Sequence, residues 1–239
     1  MIHALAGSLV IAAAAGAPLA WSSNVLFADD FKDGDAAGWV EVNALAPLGG
    51  TTYDASGGRY EMESNATLPP LPFYVGDGVL LGDSSGNRDY RNCDVRFTVR
   101  LNNESTNFQF AGRGNPETPG AAYIAFNYQR ELGIFVNVIP ESGGATGNPP
   151  LAQAPFHFDV GRDYSVVVTM HGVHLTMKVW ASDQPEPDAP QLAVNEPRFR
   201  SQSGAAFIMY NQPTFQPGGN GGQLSASFDD VIVTRGGKN

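Results

Sequence analysis

From Cys93 to Leu101 the chain alternates strictly. Cys93, Val95, Phe97, Val99 and Leu101 are apolar, and Asp94, Arg96, Thr98 and Arg100 between them are polar. Successive side chains of a strand point to opposite faces, so this segment predicts a β-strand with one buried and one wet face. Similar runs predict strands at 107–111, 122–128, 133–138, 164–170, 173–180, 205–210 and 224–234. Shorter strands are expected at 24–31, 53, 59–63 and 78–81. His171-Gly172 reads as a two-residue hairpin turn. No helical period recurs. The Pro- and Gly-rich stretches at 68–72, 142–150, 184–190 and 212–223 read as loops. About a dozen short strands separated by turns predict an all-β fold, a two-sheet antiparallel β-sandwich.

The two ends match each other. Phe27-Ala28-Asp29-Asp30-Phe31, followed by Gly38-Trp39, mirrors Phe228-Asp229-Asp230-Val231-Ile232-Val233. Both are apolar runs interrupted by paired carboxylates, which predicts that the first and last strands lie side by side.

Composition narrows the picture. Of 239 residues, 28 are Gly and 17 Pro, and only 16% are charged, which disfavours a helical protein. A hydrophobic share of 42% is enough for a core. The net charge of −10 excludes the basic footprint that nucleic acid or an anionic membrane surface requires, and leaves neutral glycans open. Residues 1–28 carry no Lys, Arg, Asp or Glu. The Ala-rich run within 1–22 is too short for membrane insertion and reads as a signal peptide, with Ala20-Trp21-Ser22 as a cleavage site. A buried N-terminal helix is the alternative. Residues 23–239 then form one secreted or extracytoplasmic domain. Cys93 is the only cysteine, so no intrachain disulfide is available, and its place on the apolar face reads as a small buried hydrophobe.

Two constellations could carry chemistry. Asp29, Asp30, Asp33 and Asp35 would meet Asp229 and Asp230 if the terminal strands pair, and calcium suits a cluster of carboxylate oxygens. The alternative is that these aspartates cap turns. Arg96 and Arg100 share one strand face, about 13 Å apart at strand rise. If that face is concave, Gln109, Arg113, Tyr123 and Asn127 on neighbouring strands would complete a polar groove for a neutral or acidic polysaccharide. The alternative is a solvated outer face with each Arg paired to a carboxylate. His171 and His174 lack the converging partners of a zinc site. No nucleophile elbow is present, and the 218–222 glycines lack the Lys-Ser/Thr of a phosphate loop.

The order Asp29-Asp30-Phe31, Gly38-Trp39, Gly58-Arg59-Tyr60, Asp94-Val95-Arg96-Phe97, Asp163-Tyr164-Ser165-Val166, Gly172-Val173-His174-Leu175 and Phe228-Asp229-Asp230-Val231 resembles bacterial extracellular concanavalin A-like (laminin G-like) jelly-roll domains. The resemblance covers nearly the whole chain after the leader. It implies lectins, carbohydrate-binding modules, glycoside hydrolases, polysaccharide lyases or adhesive domains on one scaffold. Family-16 type hydrolases carry Glu, Asp and Glu alternating on one strand, and Glu61-Met62-Glu63 offers only two of the three. Jelly-roll alginate lyases carry an Arg-Glu-Arg-type strand and a Gln-x-His strand, and neither is present. The expected function is therefore non-catalytic binding of an extracellular or cell-wall polysaccharide. The alternatives are a hydrolase or lyase on the same fold, or a structural domain whose long loops contact a protein partner.

Overall fold

The computed structural model describes residues 24–81, 89–114, 122–139 and 149–236. The leader assigned to 1–22 lies outside them, as does most of the loop expected at 142–150.

The described residues form two stacked antiparallel sheets. The first carries, in order, β13 (Leu192–Asn195), β12 (His174–Ala181), β11 (Asp163–His171), β6 (Cys93–Leu101), β15 (Ser225–Arg235), β4 (Tyr60–Ser64) and β3 (Thr51–Asp54). The eighth strand of this sheet, β1 (Val25–Asp29), also pairs with β15. The second sheet runs β10 (Ala152–Ala154), β9 (Gly133–Ile139), β8 (Tyr123–Gln129), β7 (Thr106–Gly112), β14 (Ala205–Asn211), β5 (Gly76–Leu81) and β2 (Trp39–Val42). This is a jelly-roll β-sandwich of the concanavalin A-like kind.

The ends meet as the sequence predicts. Val25 pairs with Thr234, and Asp29 with Val231. The long β15 serves two neighbours along one edge, β4 over Ser225–Phe228 and β1 over Val231–Thr234. Between them the ladder to β6 shifts register from Asp229 to Ile232, with Asp230 at φ 48. A bulge of this kind bends a strand and re-aims its side chains.

The alternation of β6 does what its pattern demands. Cys93, Val95, Phe97, Val99 and Leu101 are buried in the core, and Arg96 is exposed. Aromatic rings join the sheets across the middle. Phe97 on β6 meets Phe207 on β14 edge-on at 4.7 Å, and Phe207 meets Phe228 on β15 at 4.9 Å. A second knot ties the N-terminal segment down: Phe31 stacks on Tyr60 at 5.4 Å, and Trp39 contacts Phe27, Tyr60 and Phe207.

The hairpin differs by one residue from its sequence reading. His171 pairs with His174, so the loop is Gly172-Val173. Gly172 stands at φ 58, and a two-residue loop with glycine at its first position is one of the turns that match strand twist. Strands β7, β8 and β9 are buried along their whole length on both faces, apart from half-buried Tyr123. The second sheet's outer face is therefore covered as well, and that covering shapes the site.

Candidate functional site: a cleft on the second sheet

The outer face of the second sheet forms the floor of a cleft of about 530 Å³. Its register can be read across the strands. Phe135 on β9 opposes Asn127 on β8, which opposes Gln109 on β7, then Ile208 on β14, Gly78 on β5 and Val42 on β2. Side chains in one cross-strand row share a face. Two loops raise one wall. The 68–75 loop contributes Phe73 and Tyr74, and the 212–223 loop contributes Phe215 and Gln216. The Thr214 amide donates to the Leu71 carbonyl at 2.7 Å and fastens the two loops together. Phe73 and Phe215 are 54% and 48% exposed, so two aromatic rings reach the rim, Phe215 edge-on to Tyr74 at 5.6 Å.

The polar part of the floor is made of amides. Asn127 Nδ2 donates to Asn137 Oδ1 at 2.8 Å and to the Ala125 carbonyl at 3.1 Å. Gln109 Nε2 donates to the Tyr123 hydroxyl at 3.2 Å. Gln129 and Gln216 both donate to the Tyr74 hydroxyl, at 3.2 and 3.4 Å. Burial pushes the phenols of Tyr123 and Tyr210 up, so both stay protonated donors. Among the described lining residues there is no Arg, Lys or His, and one carboxylate, Asp77. Asp77 Oδ1 accepts the Leu45 amide at 2.7 Å, ahead of the short 3-10 turn Ala46–Leu48. Burial raises its pKa, opposed by those hydrogen bonds.

The six residues expected to share a groove do not share one. Gln109, Tyr123 and Asn127 line the cleft. Arg96 and Arg100 lie on the outer face of the other sheet. The reason is the loop 102–105, which carries the chain across the sandwich: β6 and β7 follow each other in sequence but belong to different sheets. Each Arg has its own carboxylate. Arg96 meets Glu186 at 2.7 Å and lies over Trp180, and Arg100 forks onto both oxygens of Asp163 at 2.9 and 2.7 Å. Arg113 is fully buried at the end of β7, at φ 55, with Nε donating to the Arg91 carbonyl at 3.1 Å. Glu61 and Glu63 also lie on the first sheet's outer face. They accept from Asn102 and Gln223, away from the cleft.

The acidic ends form turns. Asp29 accepts the Phe31 amide and the Trp39 indole N–H, both at 2.8 Å. Asp33 and Asp35 accept the amides of Asp35 and Ala37. Asp30 pairs with Lys32 at 2.8 Å, and the same ammonium lies 3.9 Å from Asp230. Asp229 faces Arg59 at 3.5 Å. Burial raises the Asp29 and Asp229 pKa values. Calcium needs six to eight converging oxygens. Here the oxygens diverge onto backbone amides, and two cations of the chain stand among them, so these aspartates do not fit a calcium cage. Among the described residues no group of three or more metal-ligating side chains converges anywhere.

Sequence reasoning missed Asn137, Gln129, Phe73 and Phe215. Asn137 was readable as the one polar residue inside the apolar run of β9. The two phenylalanines follow Pro72 and Pro213-Thr214, and nothing in a Pro-rich loop shows which way an aromatic ring turns.

The sequence matches no family model and no curated protein. Solved structures match over most of the chain. One, from work on endo-acting O-glycanases of the human gut microbiota that initiate mucin breakdown, is 14% identical. It covers 90% of this chain and 100% of its own, with a TM-score of 0.59. An immunostimulatory antigen and pseudo β-1,3-glucanase of Mycobacterium tuberculosis is 13% identical over 90% of this chain and 100% of its own, at 0.56. The exoplasmic/lumenal domain of VIP36, in a form bound to Ca²⁺ and Man3GlcNAc, is 8% identical over 84% and 85%, at 0.52. Proteins described in such different terms share this architecture, and the likeness establishes the fold of the chain as a jelly-roll sandwich of the concanavalin A-like kind.

Proposed function

We propose that the chain is a non-catalytic, extracytoplasmic glycan-binding domain, and that its cleft takes a neutral saccharide. One observation carries this reading: a patch of amide side chains, Gln109 and Asn127 side by side and Asn137 bonded to Asn127 from the adjacent row, on a cleft floor beneath two exposed aromatic rings, with no cation among the described lining residues. Amides donate to and accept from sugar hydroxyls, and rings cover the apolar face of a pyranose. An acidic polysaccharide would enter such a cleft with its carboxylates unpaired, at high desolvation cost. Glycoside hydrolysis needs two carboxyl groups flanking the scissile bond, and among the described lining residues Asp77 is a single one, held to Leu45. A Man3GlcNAc-bound domain on the same fold supports glycan binding.

A glycan array probed with the purified domain tests it. Neutral glycans should bind. Gln109→Ala and Asn127→Ala should each weaken binding about tenfold, the loss expected for one buried neutral hydrogen bond. Arg96→Ala and Arg100→Ala should leave it unchanged. Binding confined to acidic glycans, or abolished by Arg100→Ala, would overturn the reading. Melting with and without EDTA tests the calcium expectation. With the terminal aspartates already engaged, the melting temperature should not move, whereas a fall of several degrees would reinstate the ion. Mass spectrometry of exported protein, expected to lack 1–22, tests the leader.

A further inference from the structure

The cleft floor has two chemically different halves. Along the central row, Asn127 and Gln109 are amides, but beyond Gln109 the row continues as Ile208, Gly78 and Val42. The adjacent row of the sheet changes in the same way. It runs from Asn137 through Ala125, Ala111, Ala206 and Leu80 to Val40, and of these Asn137 and Ala206 line the cleft itself. From β14 to β2 neither of these two rows presents a side-chain donor or acceptor. At strand spacing, the distance from Ile208 to Val42 is roughly 10 Å.

Gly76 and Gly78 flatten this half. A Cβ at Gly78 would lie 2.6 Å from the Phe207 carbonyl oxygen, and one at Gly76 would strike the Met209 carbonyl, so β5 presents bare backbone here. Val75, Ala44 and the Phe73 and Phe215 rings surround it, with Asp77, held by the Leu45 amide, and Tyr210, whose hydroxyl donates to the Tyr128 carbonyl, as the polar groups at its border.

A bare sugar suits only the amide half. Its hydroxyls ring the whole pyranose, and those desolvated over Ile208, Gly78 and Val42 would find no side-chain partner. A hydrocarbon segment gains from the same surface. The volume of about 530 Å³ lies within the range of pockets that enclose a ligand larger than one sugar ring.

Building on the glycan reading above, we infer that the cleft recognises an amphipathic saccharide: a neutral sugar over Gln109, Asn127 and Asn137, carrying an apolar acyl-type substituent over Ile208, Gly78 and Val42. The amide half orients the sugar, and the aliphatic half selects the modification.

Titration calorimetry can separate this from plain sugar binding. The probes are the methyl β-glycosides of glucose, galactose, xylose and mannose, the octyl β-glycosides of the same sugars below their micelle concentrations, and 1-octanol. At least one octyl glycoside should bind tenfold or more tightly than its methyl counterpart. Ile208→Asn should bring that ratio close to one. Val42→Thr, nearly isosteric and therefore safer for folding, should lower it several-fold. Arg96→Ala, on the other sheet, should leave the ratio intact. Equal binding of methyl and octyl glycosides overturns the inference and leaves the sugar reading standing. Octanol binding as tightly as the octyl glycosides, or no binding by any probe, overturns both.

Discussion

Asp163 shows how a single side chain decides what a surface is for. Burial alone would raise its pKa, but the Arg100 fork and the nearby Arg59 guanidinium outweigh burial and lower it. A carboxylate with a depressed folded pKa contributes stability that is present above its unfolded value, near 4, and is lost as pH falls through the folded value. Asp163→Asn should therefore destabilise the domain by about 1 kcal/mol at pH 7, as expected for a half-screened pair. Urea midpoints of the two proteins should converge as pH falls well below the unfolded value. A gap that persists there would mean the loss is steric. The same fork explains why Arg100 is unavailable to a ligand: its donors already have a bidentate partner. Cys93 is equally settled. Burial pushes its thiol up to about 12, and Sγ donates to the Tyr90 carbonyl at 3.2 Å, so it packs and does not react.

Single strands were the most legible level of this molecule. The alternation of β6 and of the β11–β12 hairpin could be read directly, because each has one wet face. Strands β8 and β9 could be recognised as strands, but their faces could not be told apart, since both are covered. The loop 102–105 is where the expected groove fails. A short connection between two strands reads as a hairpin within one sheet, yet here it crosses the sandwich, and that crossing separated Arg96 and Arg100 from Gln109. Local pattern holds no information about which sheet the next strand joins, because either choice buries the same apolar face. Gly172 gives a clean test of the hairpin. A Cβ there would meet nothing within 4 Å, so Gly172→Ala should act through backbone strain at φ 58 alone. A loss of about 1 kcal/mol, near 2–4 °C in melting temperature, is expected. Gly172→Asn should recover part of it, because Asn tolerates the left-handed region better than Ala.

At the scale of the whole sandwich, the matched ends were readable because two apolar runs with paired carboxylates had only each other as partners of the right kind. The cleft was not readable. It depends on a row of residues contributed by six strands and on two loops fastened by one backbone hydrogen bond. Only three of its residues, Gln109, Tyr123 and Asn127, were found from sequence. The pairing of β1 with β15 has a consequence of its own. The Arg235 amide donates to the Asn24 carbonyl at 2.7 Å, so the chain enters and leaves the sandwich at one point. A short Gly-Ser bridge from 236 back to 24 should close the backbone into a ring without disturbing either sheet. That ring could then be reopened in the exposed 184–190 loop, far along the chain from the cleft residues. Such a circular permutant should melt within a few degrees of the parent and bind the same sugars. Topologically, the domain would then suit insertion as a cassette into a surface loop of another protein.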